Sequence, residues 1–192
     1  MFKRQEDRLA LIALVVFVFM GWSPIDGPLK REVTDFFFGC SPSSTIQAIR
    51  TQLSGNSNFT VFEDPNRDPE TSVVGEIKEY KSLSKVSIRN QLIITVAPHA
   101  SKNKEVLNFT LLVYYKLENL PSALVDYDNY KSEFKPYFGS SSISQEVGFE
   151  KEEIESMTLK TGTTELEVKL TKGYNLSHAI SVAYRETRTK KK

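Results

Sequence analysis

Leu107, Phe109, Leu111, Val113 and Tyr115 occupy every second position, with Asn108, Thr110, Leu112 and Tyr114 between them. Such a repeat puts the first set on one face only if the segment is extended, so it predicts a strand with one buried side. Just upstream, Val86, Ile88, Leu92, Ile94 and Val96 alternate with Ser87, Arg89, Gln91 and Thr95. The polar connection over residues 98–104 is short enough to join the two runs as an antiparallel hairpin. Phe59 to Phe62 and Val73 to Tyr80 read as weaker strands, separated by the turn-rich Asp64-Pro65-Asn66-Arg67-Asp68-Pro69.

Helical signals precede each group of strands. Ser44-Thr45-Ile46-Gln47 matches a capping box, Ile46, Ile49 and Leu53 share a helical face, and Gly55 supplies a stop, predicting a helix over residues 44–54. Pro121 at a helix start, followed by Leu124, Tyr127, Lys131 and Phe134, predicts a second helix over residues 121–135, ended by Pro136 and the stretch from Gly139 to Ser142. Strand patterns return at Met157 to Lys160, at Leu166, Val168 and Leu170, and at Ile180, Val182 and Tyr184. The fold class is therefore α+β: an antiparallel-sheet domain with one or two packed helices. A cystatin-like or NTF2-like arrangement has this plan, as do the outer domains of bitopic secretion-machine subunits, but no motif here fixes a family. The folded domain is placed at 41–188. Because helix-then-strands occurs twice, it divides into possible halves at 41–117 and 118–188, without a repeat at the level of residues.

The amino terminus has a different character. Residues 1–8 carry Lys3, Arg4 and Arg8, and the 17 residues from Leu9 to Ile25 carry no charge. An apolar stretch with no polar face is suited to lipid, and at ~1.5 Å per residue it spans about 25 Å, near the ~30 Å of a hydrocarbon core. No favourable peptidase site follows it, so the segment reads as an uncleaved signal anchor. The excess of basic residues before it puts residues 1–8 in the cytoplasm and the main domain outside. Residues 26–40, with Gly27 and Pro28, read as a linker. Phe37-Phe38-Gly39-Cys40 is a poor lipoprotein box, because Lys30, Arg31, Glu32 and Asp35 interrupt the apolar run it requires. Cys40 is read instead as a small buried or half-buried residue.

Composition narrows the chemistry. With Cys40 as its single cysteine and His99 and His178 as its two histidines, the chain can form no internal disulfide and no multi-thiolate zinc site. A net charge of +1 gives no global basic excess for nucleic acid. The basic cluster Arg185, Arg188, Lys190, Lys191 and Lys192 reads as a solvated end, with a tail at 189–192, and contact with anionic lipid or nucleic acid is its alternative reading. Asp64, Asn66 and Asp68 imitate half of a calcium loop, but Pro69 stands at the glycine position and Gly75 at the distal acid, so a turn is the expected reading. Cys40 with His99 would need an orienting third group, and Glu150, Glu152, Glu153 and Glu155 read as a solvated edge. Asn58, Asn108 and Asn175 begin glycosylation acceptor patterns, relevant only in a eukaryotic secretory pathway. No catalytic, cofactor-binding or metal-binding residue is assigned. The function expected is a membrane-anchored extracytoplasmic protein-interaction or assembly domain of an envelope complex, with membrane lipid and a protein as partners. A small-molecule or lipid carrier is the alternative, and a carboxylate-dependent hydrolase comes third.

Overall fold

A computed structural model describes residues 26–78, 86–138, 143–147, 153–174 and 177–190. The elements run α1 (Asp26–Phe36), α2 (Ile46–Ser54), β1 (Phe59–Phe62), β2 (Ser72–Ile77), β3 (Ser87–Pro98) and β4 (Lys104–Lys116). A 3-10 turn over Leu117–Asn119 leads into α3 (Leu120–Phe138), followed by β5 (Ile143–Val147), β6 (Glu153–Thr161), β7 (Thr164–Tyr174) and β8 (Ser177–Thr189). The eight strands form one antiparallel sheet in the order β1-β2-β3-β4-β8-β7-β6-β5. The first half is thus two helices followed by a four-stranded meander, and the second is one helix followed by another. The two meanders meet where β4 pairs with β8 from Lys104↔Thr189 to Lys116↔Ser177.

The alternation read from the sequence sets which face is buried. Leu107, Phe109, Leu111, Val113 and Tyr115 of β4 lie beside Ile180, Val182 and Tyr184 of β8 and Leu166, Val168 and Leu170 of β7, all fully or nearly fully buried. The helices cover this face. α2 contributes Ile46, Ile49 and Leu53, and α3 contributes Ala123, Tyr127, Tyr130 and Phe134, a spacing of three and four that makes one stripe. Aromatic contacts tie the layers: Phe37 to Phe109 at 5.3 Å, Phe109 to Tyr184 at 6.3 Å, and Phe36 to Tyr130 and Phe134 at 5.7 and 5.0 Å. Among the described residues no helix is long and apolar enough to cross a membrane, and the anchor expected at 9–25 lies outside them.

Several local expectations are corrected. Residues 26–36 are a helix and not part of a linker, because Gly27 and Pro28 fall in its first turn, where backbone N–H groups have no intrahelical acceptor and proline costs little. Its Leu29, Val33 and Phe36 bury one stripe. The chain then reverses through Phe38 and Gly39, both left-handed (φ 59° and 77°), and Gly39 donates to the Thr34 carbonyl at 2.7 Å. Thr45, one residue later than expected, caps α2: its Oγ1 accepts from Ala48 N at 3.2 Å, while Ser44 belongs to the preceding turn. Pro136 does not end α3, which continues two residues to Phe138. A register shift between Ser87 and Arg89 interrupts the alternation of β3 and leaves Ile88 53% exposed. The basic end is partly structural: β8 reaches Thr189, and the Arg188 guanidinium meets Glu105 at 2.8 Å and the carbonyls of Ser44 and Pro42.

Gly75 allows β1 to lie on the core. A Cβ there would stand 2.3 Å from two carbons of the Phe59 ring and 2.6 Å from the Thr60 carbonyl. Gly75→Ala is therefore expected to lower stability by about 1–3 kcal/mol, as overpacking does. Gly55, with φ −83° and nothing nearer than 3.6 Å, takes alanine without strain, and Gly55→Ala should stabilise by about 0.4–1 kcal/mol. Equilibrium urea unfolding of the two variants should show midpoints displaced in opposite directions.

Candidate functional site

The face of the sheet opposite the helices carries the other half of each alternation, and the strand registers arrange it in rows. One row runs Tyr114, Ala179, Thr171, Ile154, and the next runs Leu112, Ser181, Lys169, Ser156. Ala179 and Ser181 are small residues in the central strand β8, flanked by the larger Leu112 and Tyr114 on β4 and by Lys169 and Thr171 on β7. The drop in side-chain height leaves a hollow of about 320 Å³, lined by these six residues and Ile154. Its walls are mixed, with leucine, isoleucine and a tyrosine ring beside hydroxyls and one ammonium. No carboxylate among the described residues pairs with Lys169. The hollow thus offers apolar surface, hydroxyl-bearing side chains and one ammonium in the same place.

A second hollow, of about 280 Å³, lies where the β1–β2 turn meets α2, lined by Arg50, Phe62, Asp64, Arg67 and their neighbours. Its cations are already engaged. Arg50 donates to the carbonyls of Pro69 and Ser72 at 2.9 and 2.7 Å, and Arg67 Nε donates to Asp64 Oδ2 at 3.2 Å. The Asp64 and Asp68 carboxylates also accept from the backbone N–H groups of Asn66 and Glu70, building turns as the proline-rich sequence implies. Among the described residues no group of three or more potential metal ligands converges.

The other singled-out residues are dispersed. Cys40 is buried in the core with its thiol pushed up to about 12 by desolvation, so it is a poor nucleophile where it stands. His99 lies at the β3–β4 turn, its Nδ1 accepting from Ser101 N at 3.1 Å, and no hydrogen bond joins it to Cys40. Asn58 is exposed before β1, whereas Asn108 stands mid-strand in β4 with its Nδ2 donating to Thr110 Oγ1 at 3.0 Å. Asn175, Glu150 and Glu152 lie outside the described residues, as does the side chain of Glu153. Glu155 is not at a solvated edge but inside β6, half-buried and 3.4 Å from Lys131.

Beneath α3 lies a polar group that the sequence reading missed. Asp126, 3% exposed, accepts from the Tyr115 hydroxyl at 2.5 Å. Tyr127 and Tyr130 bring two more hydroxyls to the same interface, Lys131 stands 4.2 Å from the Tyr127 ring centroid, and His178 Nε2 lies 3.0 Å from the Leu117 carbonyl. Burial, and then the bond to Asp126, pushes the Tyr115 hydroxyl far above its usual range; burial, and then Glu155, does the same to Tyr127. The Tyr127 hydroxyl nonetheless has no hydrogen bond of normal geometry. Neither described hollow is lined by this group, and the Tyr115–Asp126 bond ties α3 to β4. Asp126 reads as a turn former in isolation, but it lies three residues after Ala123 and four before Tyr130, which puts it at the border of the apolar stripe.

Comparison of the chain with protein-family models, with curated proteins and with solved structures finds no match.

These buried protons make stability depend on alkaline pH. The unfolded Cys40 thiol ionises near 9.0 and the folded one near 12, so between these values the unfolded state has released a proton that the folded state retains, and folding is progressively disfavoured. Tyr115 and Tyr127 act in the same direction. The thermal midpoint should hold steady below about pH 9 and fall as pH rises toward 12, with a shallower fall in Cys40→Ala. Equal slopes for wild type and variant would remove Cys40 from this account.

Proposed function

We propose that this chain is a membrane-anchored, extracytoplasmic protein-interaction domain, an accessory or assembly component of an envelope complex, and that its protein partner docks on the outer face of the sheet around Leu112, Tyr114 and Ile154. The observation that carries the reading is the one-sided construction of the domain: all three helices cover one face, and the opposite face presents a hollow of mixed apolar and hydroxyl lining with an ammonium that has no carboxylate partner among the described residues. The uncharged stretch over residues 9–25 supports the tether. Leu29 in the first turn of α1 is buried and the Pro28 carbonyl accepts from the Tyr137 hydroxyl at 3.4 Å, which would hold the domain close to the point where that stretch ends.

A carrier would need an apolar cavity between helix and sheet. In the described residues that space is occupied by Phe36, Phe37, Phe109, Tyr130, Phe134 and Tyr184, in contact with one another. A carboxylate hydrolase would need two acids facing a cleft. The buried Asp126 is bonded to Tyr115 away from either hollow, and the half-buried Glu155 is paired with Lys131.

The test is photo-crosslinking in intact cells, with a crosslinking residue placed at Leu112 or, as a helix-side control, at the exposed Val125. The expected result is a discrete adduct with a different protein from position 112, absent from position 125 and lost when Ser181→Trp fills the hollow at unchanged protein level. Adducts of equal yield from both positions, or self-adducts alone, would contradict the reading. A C-terminal tag open to external protease only after the outer membrane or cell wall is breached would fit the proposed topology, and a tag digested only after the inner membrane is lysed would oppose it.

A further inference from the structure

The β3–β4 turn and the end of β8 bring three exposed lysines together at one end of the sheet. The turn is tight, with Lys104 N donating to the Ser101 carbonyl at 2.9 Å, and Lys190 N donates to the Asn103 carbonyl at 2.9 Å. The backbone thus holds Lys102, Lys104 and Lys190 together, and all three are exposed. Three acids beside these lysines are engaged, Glu105 with Arg188 at 2.8 Å, Glu186 with Lys30 at 2.5 Å and Glu165 with Lys160 at 3.3 Å, while Glu63, Asp68 and Glu70 belong to the β1–β2 turn, on the far side of β3 at the same end of the sheet. None of the three exposed lysines has an ion-pair partner among the described residues.

The first turn of α1 lies at the same end. Lys30 reaches Glu186, which is three residues from the last β4–β8 pair at Thr189, or about 10 Å along the strand. The first turn of α1 thus lies toward the same end of the sheet as the three lysines.

We propose that this end of the domain rests on the anionic headgroups of the bilayer into which residues 9–25 insert, with Lys102, Lys104 and Lys190 facing lipid phosphate. The inference rests on the tether proposed above and adds an orientation to it. The sheet would stand on its β3–β4 turn, with the Leu112–Tyr114 hollow facing sideways and open to a partner. Lipid is favoured over nucleic acid because residues 98–104 and 187–190 contain no Phe, Tyr or Trp on which a base could stack, and the one imidazole there, His99, is held in the turn by Ser101 N at 3.1 Å. A lysine near an anionic surface strengthens the contact by roughly fivefold.

The full chain carrying Asn103→Cys is labelled with a fluorophore, the native Cys40 being buried, and mixed with vesicles containing headgroup-quencher lipid. Vesicles of phosphatidylcholine alone are compared with vesicles that also contain phosphatidylglycerol. Quenching at position 103 is expected to be several-fold greater with phosphatidylglycerol, to fall to the phosphatidylcholine level at high salt, and to be lost in the triple variant Lys102→Glu, Lys104→Glu, Lys190→Glu with its circular dichroism unchanged. If the chain floats with both vesicle types after alkaline wash but quenching is the same in both, the tether stands and the lipid contact is overturned. If the chain does not float with phosphatidylcholine vesicles, the tether falls, and the contact survives only if phosphatidylglycerol vesicles still quench the label. Binding of duplex DNA with no response to phosphatidylglycerol would also overturn the proposal.

Discussion

The pairing of β4 with β8 is the interaction on which the rest of the structure depends. Each strand is thirteen residues long, and each ends its own four-stranded meander, so in isolation each half would expose its longest strand as an open edge. Such an edge recruits other strands and is poorly tolerated. Joining the two edges satisfies both, merges two small cores into one, and leaves β1 and β5, with four and five residues, at the borders of the sheet. Short borders are a common defence against unwanted pairing.

That junction organises everything laid upon it. Tyr115 and Phe109 on β4 and Tyr184 on β8 carry the large side chains that meet α1 and α3, so the helices settle over the seam. Helix α1 begins over β8 through Lys30 and Glu186, reaches β4 through Phe37 and Phe109, and delivers Phe38 to Phe59 at the border strand. It acts as a strap across both halves. Covering one face so fully leaves the other to solvent, and the small residues Ala179 and Ser181 at the seam create the hollow proposed as the partner site. Function, on this account, is a by-product of how the two meanders are joined.

Much of this was legible in the amino-acid order. The buried face of β4 follows residue for residue from its alternation, as do Leu166, Val168 and Leu170 of β7, because a period of two has one structural meaning. The helix-then-strands order of both halves was equally visible. Other features depend on contacts between distant residues. Nothing local specifies that β4 and β8 pair, since their partners lie some seventy positions apart. Helix α1 was hidden by Gly27 and Pro28, which signal a break only when they fall inside a helix and not in its first turn. The strand at Ile143–Val147 has too few apolar residues to announce itself. The hollow was not legible at all, because it arises from a difference in side-chain size between three neighbouring strands whose order the sequence does not state.

Native-state hydrogen exchange on the full chain tests the claim of a single core most directly. If the β4–β8 seam unites the halves, amides of Phe109, Leu111 and Val113 and of Ile180, Val182 and Tyr184 should exchange last, with one common free energy equal to that of global unfolding. Exchange of one half through a partial opening that leaves the other protected would contradict it and show two independently folded units lying side by side.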